Sequence, residues 1–165
     1  MEQHSKLIMA MTEYYRQDPA RIQHFLKVYE FSRLIGTLEE VSDTLLYTLE
    51  TAAIVHDIGI KISEEKYNDC SGKHQEEEGP AAAEPMLKAL GYPDGVIERV
   101  CYLIAHHHTY HDVDGMDYQI LIEADFLVNL YEDNASPQAC RRAYERIFRT
   151  TAGKRICRQL YPVRD

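Results

Sequence analysis

Apolar side chains recur every three or four positions through most of the chain, the spacing of helices that bury one stripe. Asp18-Pro19 predicts an N-cap followed by proline at the first helical position. Behind it Ile22, Phe25, Leu26, Tyr29, Leu34 and Ile35 carry the stripe to a stop at Gly36. Ser42 predicts the cap of a second helix, striped by Leu45, Leu46, Leu49, Ala52 and Ala53 and ending shortly before Gly59. Residues 60–79, with Asn68, Asp69, Ser71 and Gly72, read as a polar loop. A short third helix is expected from near Pro80 to Leu90, ended by Gly91, with Pro85 kinking it or delaying its start. Pro93 opens a fourth, with Val96, Ile97, Val100, Leu103 and Ile104. A fifth runs from about Tyr118 to Tyr131, and Ser136-Pro137 starts a sixth. Alternating strand patterns are nearly absent, so the expected fold is all-α, a compact bundle of about six helices.

The length of 165 residues fits a single domain over 1–165, with a core at about 18–135 and a helical extension at 136–165. A composition 45% hydrophobic and 27% charged is that of a globular chain and excludes collagen-like or wholly disordered classes. The longest apolar runs, Leu7–Met11 and Ala52–Val55, fall far short of the ~20 residues of a membrane span. Glu2, Gln3, His4 and Lys6 do not resemble a signal peptide, and the expected location is cytoplasmic, with no membrane partner. Cys70, Cys101, Cys140 and Cys157 are scattered without CxxC spacing and read as free thiols. No stretch specifies an oligomeric partner.

A net charge of −9 makes nucleic acid an unlikely partner. The balance is uneven, however. From Pro137 to Asp165, eight basic residues stand against Glu145 and Asp165, giving +6, so residues 1–136 carry −15. That tail reads either as a solvated helix face paired with the acidic body or as a basic rim for an anionic substrate or RNA.

Four polar groups interrupt segments that should otherwise enter the core. His24 lies within the first amphipathic stretch. His56 continues the stripe of the second helix, four residues after Ala52, with Asp57 directly behind it. Asp125 follows Leu121 by four on the fifth. A buried carboxylate is costly unless paired or metal-bound, and no basic partner is evident within the same helices. A divalent ion held by two His and two Asp would satisfy all four. Neighbouring helical side chains point about 100° apart, so His56 and Asp57 can grip one ion most easily at the fraying helix end before Gly59.

With His24 in QHFLKVYEFSRLIG, His56-Asp57 in AAIVHDIGI and Asp125 in ILIEADFLVNLYED, the chain resembles the HD superfamily of metal-dependent phosphohydrolases over roughly residues 18–135. The resemblance implies a helical bundle and one divalent metal held by His24, His56, Asp57 and Asp125. His74 in GKHQEEEGPAAA and the triplet His106-His107-His108 are similar to the extra histidines of binuclear members. It thereby implies His74 and His107, with Asp57 shared, as ligands of a second ion; within the triplet His107 best continues the buried face and His108 is next. Glu76-Glu77-Glu78 reads as solvated charge at a helix start. Many members have lysine directly after HDIG; here the order is HDIGIK, so Lys61 is displaced by one, and Lys73 beside His74 is an equal candidate for a phosphate-binding role.

The expected activity is hydrolysis of a small anionic phosphoester or nucleotide by metal-activated water, with Asp57, Lys61 and Lys73 as the catalytic candidates. One ion is neutralised by Asp57 and Asp125; a second would leave a positive site that attracts phosphate despite the overall charge. The nitrogen and oxygen donors suit Mn, Fe, Co, Ni or Zn, and Mg less well. Two alternatives share the scaffold: a di-iron oxygenase of the HD fold, and a non-catalytic, metal-stabilised module that senses a nucleotide or docks a partner.

Overall fold

The computed structural model describes residues 2–163 and is all-helical there. The chain runs α1 (Glu2–Tyr14), α2 (Pro19–Leu38), α3 (Asp43–Val55), α4 (Ile60–Tyr67), α5 (Gly72–Ala89), α6 (Asp94–Ile104), α7 (Met116–Glu132), α8 (Pro137–Arg146) and α9 (Thr151–Leu160). The helix starts follow their sequence signals. Asp18 accepts from the Arg21 N–H at 3.1 Å, Ser42 from Leu45 at 3.3 Å and Ser136 from Ala139 at 3.2 Å. Each cap satisfies a donor that the first helical turn leaves open.

Helices α2, α3 and α7 pack against one another at the centre. Val28, Leu49, Ala52, Ile54, Leu121 and Leu127 are among the side chains they bury, each large aliphatic one stabilising the fold by roughly 1.5–3 kcal/mol. Helices α5 and α6 pair alongside, with α6 on α3 and α4 on α5. Helix α1 lies over α3 and α5, burying His4, Leu7 and Met11 at three- and four-residue spacing. A His4–Thr51 hydrogen bond of 3.0 Å fixes its start. Helix α9 rests on α7 and α2, and α8 on α7. Its anchor is Glu123 of α7, fully buried. Its carboxylate accepts from the backbone N–H groups of Arg149 (2.6 Å) and Thr150 (2.9 Å), from the Thr150 hydroxyl (2.5 Å) and from the Gln119 amide (2.7 Å).

The described segment 60–79 is not a loop. It holds all of α4 and the first half of α5, separated by Asn68, whose φ of 55° ends α4 in the left-handed conformation. Helix α5 runs through both Pro80 and Pro85. Each proline forfeits an internal hydrogen bond, and the helix is held instead by packing between α4 and α6. Four of its five buried positions, Gln75, Gly79, Ala83 and Leu87, fall at four-residue spacing, with Glu78 beside them. The helical stripe is there, but its first half is written in glutamine and glycine.

The crossing of α4 and α5 depends on Gly59. A Cβ at that position would stand 2.6 Å from the Gln75 carbonyl oxygen and 2.8 Å from the Gly79 nitrogen, both backbone. Gly59→Ala is therefore expected to lose about 1–3 kcal/mol of stability, the range for overpacking a close contact. Gly95→Ala, where nothing lies within 4 Å of the added carbon, should be neutral or stabilise by about 0.5–1 kcal/mol. Urea denaturation of the two variants beside the parent checks the contrast.

Candidate metal centre

Helix α3 ends at Val55, and His56 and Asp57 occupy the turn that follows. Tyr15 staples this turn. Its hydroxyl donates to the carbonyls of Asp57 and Ile58, each at 3.2 Å, and accepts from the Lys61 N–H at 3.3 Å. His24 enters from α2 and Asp125 from α7, so the three central helices deliver all four groups to one point. His24 Nε2 lies 3.2 Å from His56 Nε2, 3.2 Å from Asp125 Oδ1 and 3.4 Å from Asp57 Oδ2. His56 Nε2 lies 3.5 Å from Asp125 Oδ1 and 3.6 Å from Asp57 Oδ2.

These separations are those of donors sharing an ion. Bonds of about 2.1 Å place neighbouring donors about 3 Å apart at right angles and about 3.4 Å apart in a tetrahedron. The tautomers agree. His24 Nδ1–H donates to Glu132 Oε2 at 2.9 Å, and His56 Nδ1–H to the Ala53 carbonyl at 2.9 Å. In the neutral rings both Nε2 lone pairs then face each other and two carboxylates that can only accept. Such a set is satisfied by a cation or by added protons. Burial pulls the His24 pKa down, yet the hydrogen bond to Asp125 and the Asp57 charge hold it at about 9. Burial raises Asp57 and Asp125, but the imidazoles around them win and hold both below the ordinary carboxylate range.

Asp57 also faces a second group. Its Oδ1 lies 2.9 Å from His107 Nε2 and 3.8 Å from His108 Nε2. His107 Nδ1–H donates to the Ile104 carbonyl at 2.9 Å, which turns its Nε2 toward Asp57. His24, His56 and Asp57 form one cluster able to hold a metal, and Asp57, His107 and His108 another. Burial and the neighbouring His107 keep His108 neutral, its pKa lowered to about 4. His106 turns away, bonding the Tyr102 carbonyl at 2.7 Å and stacking on that ring.

Other candidates stand elsewhere. His74 Nδ1 lies 2.8 Å from Asp69 Oδ1, and its ring stacks on Tyr67 at 3.9 Å, so it joins neither cluster. Lys61 reaches back to α1, donating to the Tyr14 carbonyl at 3.2 Å. Lys73 is exposed and faces Glu77 at 3.9 Å. Neither lysine is brought to the centre. The acidic run is not merely solvated, since Glu76 accepts from the His108 N–H at 3.0 Å and Glu78 from Lys66 and Tyr67 at 2.7 and 2.8 Å.

A cleft of about 780 Å³ opens onto His24, Asp57 and His108, with Arg21 and Lys27 at its rim and Tyr110 and Phe126 in its wall. The sequence places His108 behind His107 as a candidate, and two further groups around the cleft went unread. Asn129, four residues after Asp125, donates to its Oδ1 at 2.9 Å. Glu132, seven after it on the same face of α7, orients His24. Groups that orient a ligand typically govern 10–100-fold in metal affinity. Glu132→Ala should therefore weaken binding by about that factor, read by competition with a chromophoric chelator.

Three helices converging two imidazoles and two carboxylates, with a second imidazole pair across a shared aspartate, define an all-α phosphohydrolase that works through divalent transition metals. A family model described as HD domain matches residues 21–145. The chain belongs to that family, and its substrate is of the small phosphoester or nucleotide type. No curated protein and no solved structure matches it. Among the described residues no helix is long and apolar enough to cross a membrane.

Proposed function

We propose that His24, His56, Asp57 and Asp125 hold one divalent ion and that Asp57, His107 and His108 hold a second, to hydrolyse a phosphoester of a nucleotide-like substrate. The observation that supports this most is the position of Asp57, whose two oxygens face the two clusters separately at 3.4 and 2.9 Å. When bound, the ions would supply an activated water and charge to stabilise the phosphoryl oxygens. Glu132 and the Ala53 and Ile104 carbonyls fix the ring orientations, so that the Nε2 atoms are set before substrate arrives. Asn129 holds Asp125 in place. Arg21 and Lys27, each already paired with a carboxylate, line the approach and would retain a phosphate near the centre. Tyr110 and Phe126 close the cleft with aromatic edges against which a flat group can rest.

His74, Lys61 and Lys73 have no part in this reading, and His108 takes the place that His74 was expected to fill. The test is turnover of p-nitrophenyl phosphate and a nucleotide panel by chain stripped of metal and then loaded with Mn, Fe, Co, Ni or Zn. Hydrolysis that appears only after loading supports the reading; equal rates in stripped and loaded protein overturn it.

A further inference from the structure

The basic C-terminal segment is not absorbed by the metal centre, yet part of it adjoins the same cleft. Beyond Tyr110 lies a hollow of about 220 Å³ lined by Arg146 and Arg149. Beyond Phe126 lies another of about 290 Å³ lined by Arg142 and Arg146. Both rings also wall the metal cleft, and they meet edge to face at 5.2 Å. Phe126 directly follows Asp125 on α7. Successive helical side chains diverge by about 100°, so the metal cleft and the arginine-lined hollow at Phe126 lie against adjoining faces of α7.

Among the described residues these arginines have no carboxylate facing their guanidinium groups. The arginine ion pairs among the described residues belong to Arg16, Arg21, Arg33 and Arg99; Arg142 and Arg146 have no acidic partner there. The Arg149 guanidinium donates to the backbone carbonyls of Glu145, Arg146 and Phe148. The acid that lines these hollows, Asp112, is exposed and faces His111 at 3.1 Å. In a chain of net charge −9, three guanidinium groups without a facing carboxylate beside a phosphoester cleft are a specific feature. Guanidinium binds phosphate through paired, charge-assisted hydrogen bonds.

The geometry points to a second anion subsite, formed by Arg142 and Arg146 beside the Tyr110–Phe126 ridge, that takes a further phosphate of the substrate while the scissile one lies at the metal centre. The inference rests on the proposed reading of that centre and narrows its substrate to a nucleotide carrying at least two phosphates. The small hollows suit single phosphate groups, and the overall negative charge opposes a polyanion such as RNA.

The test measures equilibrium binding to the metal-loaded full chain by calorimetry in the cold. The probes are adenosine 5′-monophosphate, the methylene-bridged analogues of its di- and triphosphate, adenosine 3′,5′-bisphosphate and a short oligoribonucleotide. At least one multiply phosphorylated nucleotide should bind about tenfold or more tightly than the monophosphate, as one charge-assisted contact supplies. That ratio should collapse to within about twofold in Arg142→Ala/Arg146→Ala and be partly restored in Arg142→Lys/Arg146→Lys. No advantage for any member, an advantage that survives the alanine variant, or preference for the oligoribonucleotide overturns the subsite. If monophosphate binding still requires metal in those cases, the metal centre stands and only the subsite falls; if it does not, both fall.

Discussion

Asp57→Ala should abolish hydrolysis and metal retention together. The expected fall in turnover is about 1,000-fold or more, equivalent to about 4 kcal/mol of barrier, with metal content reduced to a small fraction of the parent's. The reason is geometric. Asp57 Oδ2 completes the set with His24, His56 and Asp125, while Oδ1 faces His107 and His108. Removing one carboxylate therefore disables both clusters, whereas loss of any single imidazole leaves the other cluster intact. Elemental analysis and rates measured on the same preparation, with a melting curve to show that the chain is folded, check this. Full metal content with full rate in the variant would exclude a metal role for the centre.

Stripping the metal should cost stability, and the cost should grow with pH. An ion present at about 100 times its dissociation constant stabilises the folded state by about 2.7 kcal/mol. For a chain of this size that is a melting shift of about 5–11 °C. In the stripped protein His24 is held at about 9, above its ordinary value of 6.5, and His107 is also raised by the Asp57 carboxylate against the opposing effect of burial. A raised histidine contributes stability that is complete below about 6.5 and disappears as pH climbs through the folded-state value. Ions bind the same nitrogens better once those protons leave. The gap between loaded and stripped melting temperatures should thus widen from pH 6.5 to 9. Thermal melts across that range read it directly, and a constant or narrowing gap would contradict the shared use of His24 by proton and metal.

The convergence of His24, His56, Asp57 and Asp125 was legible because three of them interrupt an apolar stripe and the fourth adjoins one. His24, His56 and Asp125 occupy positions that periodicity assigns to the core, where an unpaired polar group is costly. The helix caps at Asp18, Ser42 and Ser136 were legible for the same local reason. The first half of α5 was not, because Gln75 and Gly79 fill positions that hydrophobic periodicity expects to be apolar. Helix α4 buries only Ser63, so it carries no stripe at all. His74 and the two lysines were placed by resemblance rather than by burial, and none carries a signal that specifies where its side chain turns. Glu132 and Asn129 do sit on the helical face of Asp125, at seven and four residues beyond it. That spacing was available, but a polar residue near a helix end has many uses, and only the contacts with His24 and Asp125 single these two out.

The carboxylate of Glu123 gives the C-terminal segment a role that homology boundaries conceal. The family match stops at residue 145, yet three of the four donors to Glu123 come from Arg149 and Thr150. A polypeptide truncated at the match would strand an acid in the interior with only Gln119 to solvate it, two residues from Asp125 on the same helix. The contacts that satisfy Glu123 thus extend past the family match, and shortening the chain from that end should be felt at the opposite face of α7.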